Sequence, residues 1–166
     1  YQGQKLHYVL NGICGWGLGF VMDGFRAIFS VITAFVWFLT TLVVPEQLGG
    51  KPRNWYSFFS LLTLGATLGV FLSADFFTTY VFFEVMTFAS YGMILQSTQA
   101  NARQSGAIYL TFGIVGGLAM LLGMAGLYTI TGTLEFSELL LLDSLALDQS
   151  TLWVSGLLIF FGFAVK

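Results

Sequence analysis

Five long apolar stretches follow one another between Phe25 and Lys166, separated by short polar or turn-forming breaks. A helix needs about 20 predominantly apolar residues to cross a hydrocarbon layer of roughly 30 Å, and the complete stretches run about 18 to 24 residues. The sequence therefore predicts an all-α integral membrane protein, a bundle of about five transmembrane helices. The charge content agrees: 8% of residues are charged and 57% hydrophobic, whereas a soluble domain needs roughly 25% charged residues to face water.

The helices are expected at about residues 25–44, 55–72, 76–96, 106–129 and 151–166. The first should stop at Pro45, because proline cannot continue a helix, with Gly49-Gly50 in the turn beyond. Ser73-Ala74-Asp75 and Thr131-Gly132-Thr133 read as short turns. Residues 135–149, with Leu139 to Leu142 among Glu138, Asp143 and Asp148, suggest an amphipathic helix lying at the interface. Residues 1–24 are glycine-rich and read as a loop or the end of a preceding helix. Gly15-Trp16-Gly17 is not a dinucleotide loop, since no strand precedes it and no third glycine follows at the required spacing. The domain division is thus 1–24 followed by a helical repeat over 25–166. A start at Tyr1 and a last apolar run too short to span a bilayer read as an internal piece of a longer membrane protein.

A net charge of −2 offers no basic field for nucleic acid. Cys14 is the only cysteine and His7 the only histidine, so no internal disulfide, cysteine-cluster metal site or bis-histidine redox centre is expected, and no cofactor. His7 reads as a surface or interfacial residue. No signal peptide is evident over residues 1–10. The loops after the first and third helices hold Lys51, Arg53 and Arg103, and those after the second and fourth hold no Lys or Arg, their only charged residues being Asp75, Glu135, Glu138, Asp143 and Asp148. Basic loops stay cytoplasmic, so the first and third helices should both enter from outside, with Lys5 a mild exception.

Small residues four apart, at Gly65 and Gly69 and within Gly113 to Gly117, let helix backbones approach closely. Arg26, Ser30, Thr33, Trp37 and Thr40 form one polar stripe on the first helix, which should face protein or a hydrated cavity.

Glu84 lies in the middle of the third apolar stretch, with Tyr80, Thr87 and Tyr91 on its helical face, and Lys166 closes the last stretch. An isolated charge in hydrocarbon costs several kcal/mol or more, so each needs a partner, water or a proton. Two interacting groups of this kind titrate as a unit and can pass a proton between states. The alternative is a static salt bridge that fixes helix register, although such pairs rarely add net stability over apolar packing. Asp75 should cap the third helix, with a role at a proton exit as the other reading, and Asp23 with Arg26 reads as a local ion pair.

Several motifs resemble the antiporter-like subunits of respiratory complex I. Asp23 to Phe29 looks like the start of that family's third helix. Leu72 to Asp75, Phe82 to Met86 and Ser90-Tyr91 look like its fourth-to-fifth helix junction with its glutamate. Gly132 to Phe136 resembles the segment after its sixth helix, and Gly162 to Lys166 its seventh helix with the lysine. The resemblance implies an ion-translocating subunit of about fourteen helices built from two inverted five-helix repeats, of which this chain supplies most of the first. It implies that Glu84 and Lys166 form a pair in a proton path, Glu84 tuning the proton affinity of Lys166. Tyr80, Thr87, Tyr91, Asp75 and Arg26 are the accessory candidates. One branch of the family carries charged residues within the sixth helix. Ile114 and Gly117 stand here instead, so the chain more resembles the other branches.

The expected function is proton translocation in a redox-driven complex of the NADH:quinone oxidoreductase or membrane-bound hydrogenase kind, without a redox centre in this chain. The alternatives are a subunit of a multisubunit sodium/proton antiporter, a stand-alone secondary carrier, and a non-transporting anchor for a peripheral redox or carbonate module. Expected partners are other membrane subunits and the lipid bilayer. The expected location is a bacterial or archaeal cell membrane, or an energy-transducing organelle membrane.

Overall fold

The computed structural model describes residues 6–10, 17–47, 53–97, 100–142 and 148–166. A hairpin of β1 (Leu6–Leu10) and β2 (Leu18–Met22) precedes α1 (Gly24–Gln47), α2 (Arg53–Leu72), α3 (Phe76–Leu95), α4 (Ala102–Thr131), α5 (Phe136–Leu139) and α6 (Gln149–Val165). By length and composition, Gly24–Val43, Asn54–Leu72 and Ala102–Thr131 are long and apolar enough to cross a membrane. The remaining two long helices depart from that standard for visible reasons: α3 carries Glu84 among threonines and tyrosines, and α6 has 17 residues. The chain is a multi-pass membrane protein.

Long helices that follow one another in the chain pack together, α1 lightly on α2, α2 on α3, α3 on α4 and α4 most extensively on α6. Glycines set how closely they approach. A Cβ at Gly69 would collide with the Phe82 ring, and one at Gly92 would lie 2.6 Å from the Phe59 ring. Each of α2 and α3 therefore seats an aromatic ring of the other on a bare stretch of backbone. Gly65 meets nothing within 4 Å, so the expected pair at 65 and 69 is not a backbone seam. On α4 the glycines divide between two neighbours. Gly113 and Gly117 face α3, while a Cβ at Gly116 would lie 3.2 Å from the Gly162 carbonyl oxygen of α6.

One end of the bundle is tied by backbone hydrogen bonds around the turn Ser73-Ala74-Asp75. The Ala74 amide donates to the Gly19 carbonyl at 2.9 Å, the Phe76 amide to Leu134 at 3.1 Å and the Phe136 amide to Ala74 at 3.2 Å. Gly19 belongs there because a Cβ would lie 2.7 Å from Asp75 Oδ2. A cluster of Met124, Leu127, Leu134 and Ile159, with Phe76, Phe77 and Tyr80 against it, fills the interior next to this end.

Four expectations change. Residues 6–10 and 18–22 form a hairpin where a loop or the end of a helix was expected; Leu-His-Tyr-Val-Leu and Leu-Gly-Phe-Val-Met are β-favouring runs about a glycine-rich connection. His7 is exposed on β1. The first helix continues past Pro45 to Gln47, since a proline this near a helix end removes only one late hydrogen bond. Among the described residues of the segment at 135–149 there is a single helical turn before α6, Phe136–Leu139: Leu140 and Leu141 are 86% and 87% exposed, because consecutive leucines cannot share one apolar face. α4 begins at Ala102, where polar but helix-tolerant residues extend it beyond the apolar run. It ends at Gly132, whose φ of 73° is open to glycine at little cost. Lys5, Gly12, Cys14, Gly15, Trp16, Lys51 and Asp143 lie outside the described residues.

Alanine at Gly92 should destabilise the protein by about 1–3 kcal/mol through overpacking against Phe59, and alanine at Gly65 should not. Thermal unfolding of the two purified variants in one detergent compares them directly.

Candidate functional site

Glu84 stands eight residues into α3, about 12 Å along the helix from Phe76 at 1.5 Å per residue. Lys166 follows the last residue of α6, and its Nζ lies 2.5 Å from Glu84 Oε1. The two residues are 82 positions apart in sequence, so the contact closes α6 onto α3 across the bundle. The Lys166 side chain is 2% exposed and that of Glu84 21%, so the carboxylate is the more open member of the pair.

The surroundings are apolar and aromatic. The ammonium lies 5.7 Å from the centroid of the Phe83 ring, a favourable placement over a negative aromatic face. Phe83 meets Phe163 edge to face at 5.2 Å, which fixes the two helices beside the charges. On the other flank α4 presents Gly117 to the carboxylate. A Cβ at Gly117 would collide with Glu84 Oε1, so the carboxylate occupies room left by a glycine.

The accessory candidates separate into two groups. Thr87 is buried, donates to the Phe83 carbonyl at 2.8 Å, and puts its methyl over Gly113. Tyr91 lays its ring over Gly106, and Tyr80 packs on the cluster of Met124, Leu127 and Ile159. These three share the Glu84 face as the spacing predicts, and Thr87 and Tyr91 fill the seam with α4. Asp75 and Arg26 act elsewhere, at the tied end. Asp75 caps α3, accepting from the Thr78 amide at 2.6 Å and the Thr78 hydroxyl at 2.7 Å. Arg26 donates to the Ser73 carbonyl at 2.6 Å and pairs with Asp23 at 3.5 Å. The α1 stripe also binds helix to helix, with Trp37 Nε1 donating to Ser60 Oγ at 3.0 Å. Asp148 caps α6, and the hydroxyl of Thr151 is the main cause holding its carboxyl below the usual range.

Residues that escaped the sequence reading are Phe83, Phe163 and Gly117 as a wall of the site. The small-residue run at 113–117 was the available signal for the last. No group of three or more His, Cys, Asp or Glu side chains able to hold a metal occurs among the described residues.

The family model for the membrane domain described as "NADH:quinone oxidoreductase/Mrp antiporter, TM" matches residues 73–166, the part that contains both charges. The chain belongs to this family. It is 32% identical over 159 residues to a protein of Bacillus subtilis named as a Na(+)/H(+) antiporter subunit, covering 92% of this chain and 32% of that protein. Among solved structures it resembles a chain of the membrane-bound sulfane sulfur reductase, an archaeal respiratory membrane complex. That likeness has a TM-score of 0.83 at 30% identity over 99% of this chain and 26% of the other. It also shares its fold with a chain of the Mrp complex from Dietzia sp. DQ12-45-1b, with a TM-score of 0.85 at 22% identity, covering 97% of this chain and 18% of that one. The chain thus spans about a third of the length of the curated relatives it matches.

Removing one partner of the pair leaves a charge without compensation. Lys166→Met alone should cost about 3–5 kcal/mol, and adding Glu84→Gln should recover most of the loss. Thermal unfolding of the single and double variants in detergent reads both values.

Proposed function

We propose that this chain is the proton-handling part of an antiporter-like subunit in a multisubunit sodium/proton antiporter, with Glu84 and Lys166 as the groups that take up and release the proton. The observation that supports the reading is the pair itself, opposite charges 2.5 Å apart between apolar helices, with the Lys166 side chain 2% exposed. A purely structural role explains this poorly, since apolar packing stabilises a helix interface as well or better. A proton on Glu84, or one lost from Lys166, abolishes the attraction between them. Occupancy by a proton is thereby linked to the contact between α3 and α6.

The sodium/proton assignment rests on the likeness to a protein named for that exchange. A second reading, translocation driven by redox chemistry in other subunits, is favoured by the 30% identity to a chain of a respiratory complex. Both readings use the same pair and place other membrane subunits around this one. The surface of α1 fits such neighbours, for Phe25, Val31, Phe35 and Phe38 are each at least 60% exposed.

The test is ion transport by the intact protein with its partner subunits in proteoliposomes. Glu84→Gln should lower transport at least tenfold while the assembly stays whole. Unchanged transport would make the pair structural and bring the anchor reading forward. Acidification of the lumen that follows a sodium gradient without an electron donor identifies the antiporter, and strict dependence on a donor identifies the redox-driven complex.

A further inference from the structure

We infer that Gly117 is a positioning residue for the pair: its missing side chain is the space in which the Glu84 carboxylate sits while it holds Lys166. The inference rests on the role proposed above for Glu84 and Lys166, and adds a residue that acts through them.

A Cβ built at Gly117 collides with Glu84 Oε1 and lies 3.1 Å from Cδ and 3.4 Å from Oε2. Oε1 is also the atom that accepts from Lys166 Nζ. A methyl group at 117 therefore contests the place of the one carboxylate oxygen that makes the ion pair. The carboxylate is the far end of a flexible side chain and is 21% exposed, so it is the group that gives way. Lys166 occupies the side toward α6, so the carboxylate swings toward its open side and lengthens its bond to the ammonium.

Backbone conformation does not require glycine here. Among the described residues only Gly17 and Gly132 have positive φ, and residue 117 is ordinary α-helix. Glycine is among the poorest residues in a helix interior, so space is the physical reason for it. Gly113 and Gly106 clear room for Thr87 and Tyr91 on the same seam, at 2.5 Å and 3.1 Å for an added Cβ. Those neighbours carry a hydroxyl and a phenol in place of a carboxylate, and neither touches Lys166 in the described contacts. Along this α3–α4 seam the clearing at 117 is the one that holds a carboxylate, and this separates positioning from packing.

The experiment compares Gly117→Ala with Gly113→Ala in the intact protein, using difference infrared spectroscopy of the carboxyl band assigned by its loss in Glu84→Gln, alongside transport. Gly117→Ala should shift that band and lower transport at least tenfold, and Gly113→Ala should leave the band in place. An unshifted band in Gly117→Ala overturns the inference. Should Gly117→Ala fail to assemble, it is combined with Glu84→Ala and Lys166→Met, which empties the contested space and leaves no charge unpaired. Assembly of this triple variant supports the inference, and its failure where Glu84→Ala with Lys166→Met assembles shows that 117 serves helix packing alone. The band and the assembly are read without reference to transport. If Glu84→Gln transports normally and the band still shifts, the transport reading fails while the placement of Glu84 by Gly117 stands.

Discussion

The contact between Glu84 and Lys166 is the interaction to which the rest of the bundle is fitted. Each charge alone would be unstable at this depth, and together they need close approach with apolar walls that admit little water. α3 delivers the carboxylate eight residues in, α6 delivers the ammonium at its last turn, and α4 lies between and beside them. The glycines of α4 are what make three helices compatible with one ion pair. Gly116 brings α6 close, Gly117 admits the carboxylate, and Gly113 admits Thr87. Bulkier residues in this run would hold the helices apart and stretch the pair.

Much of this was legible in the sequence, and the reason is the membrane. Hydrocarbon forces backbone groups to bond within a helix, so apolar length alone locates the spans. The same medium makes a charge conspicuous, which is why Glu84 and Lys166 stand out among 166 residues. Their juxtaposition was not readable from spacing, because it depends on the crossing of two helices 82 positions apart. It entered only through the resemblance to a family.

Other features lay outside what hydropathy can see. The strand pair at residues 6–10 and 18–22 follows from pairing between short β-favouring runs and from the hydrogen bond between Gly19 and the turn at Ala74, and neither leaves an apolar signature. The start of α4 at Ala102 is helical through propensity and backbone bonding, although Arg103, Gln104 and Ser105 end the apolar run. At Gly65 and Gly69 the same small-residue pattern has two meanings, open surface at one and a seat for Phe82 at the other. Spacing shows where backbones are able to approach, and the side chains of the neighbouring helix decide whether they do.

The backbone ties around Ser73-Ala74-Asp75 have a mechanical consequence. They join β2, the α2–α3 turn and the α4–α5 connection by main-chain bonds that no change of proton occupancy alters. Glu84 sits about 12 Å from that clasp, and Arg53 at the start of α2 lies nearly 20 residues, about 30 Å, beyond it. The bundle is thus riveted at one end and gripped part-way along by a bond between charges. By the geometry of a lever, any loosening of that grip would be magnified toward the far ends of the helices, where Arg53 and Arg103 stand.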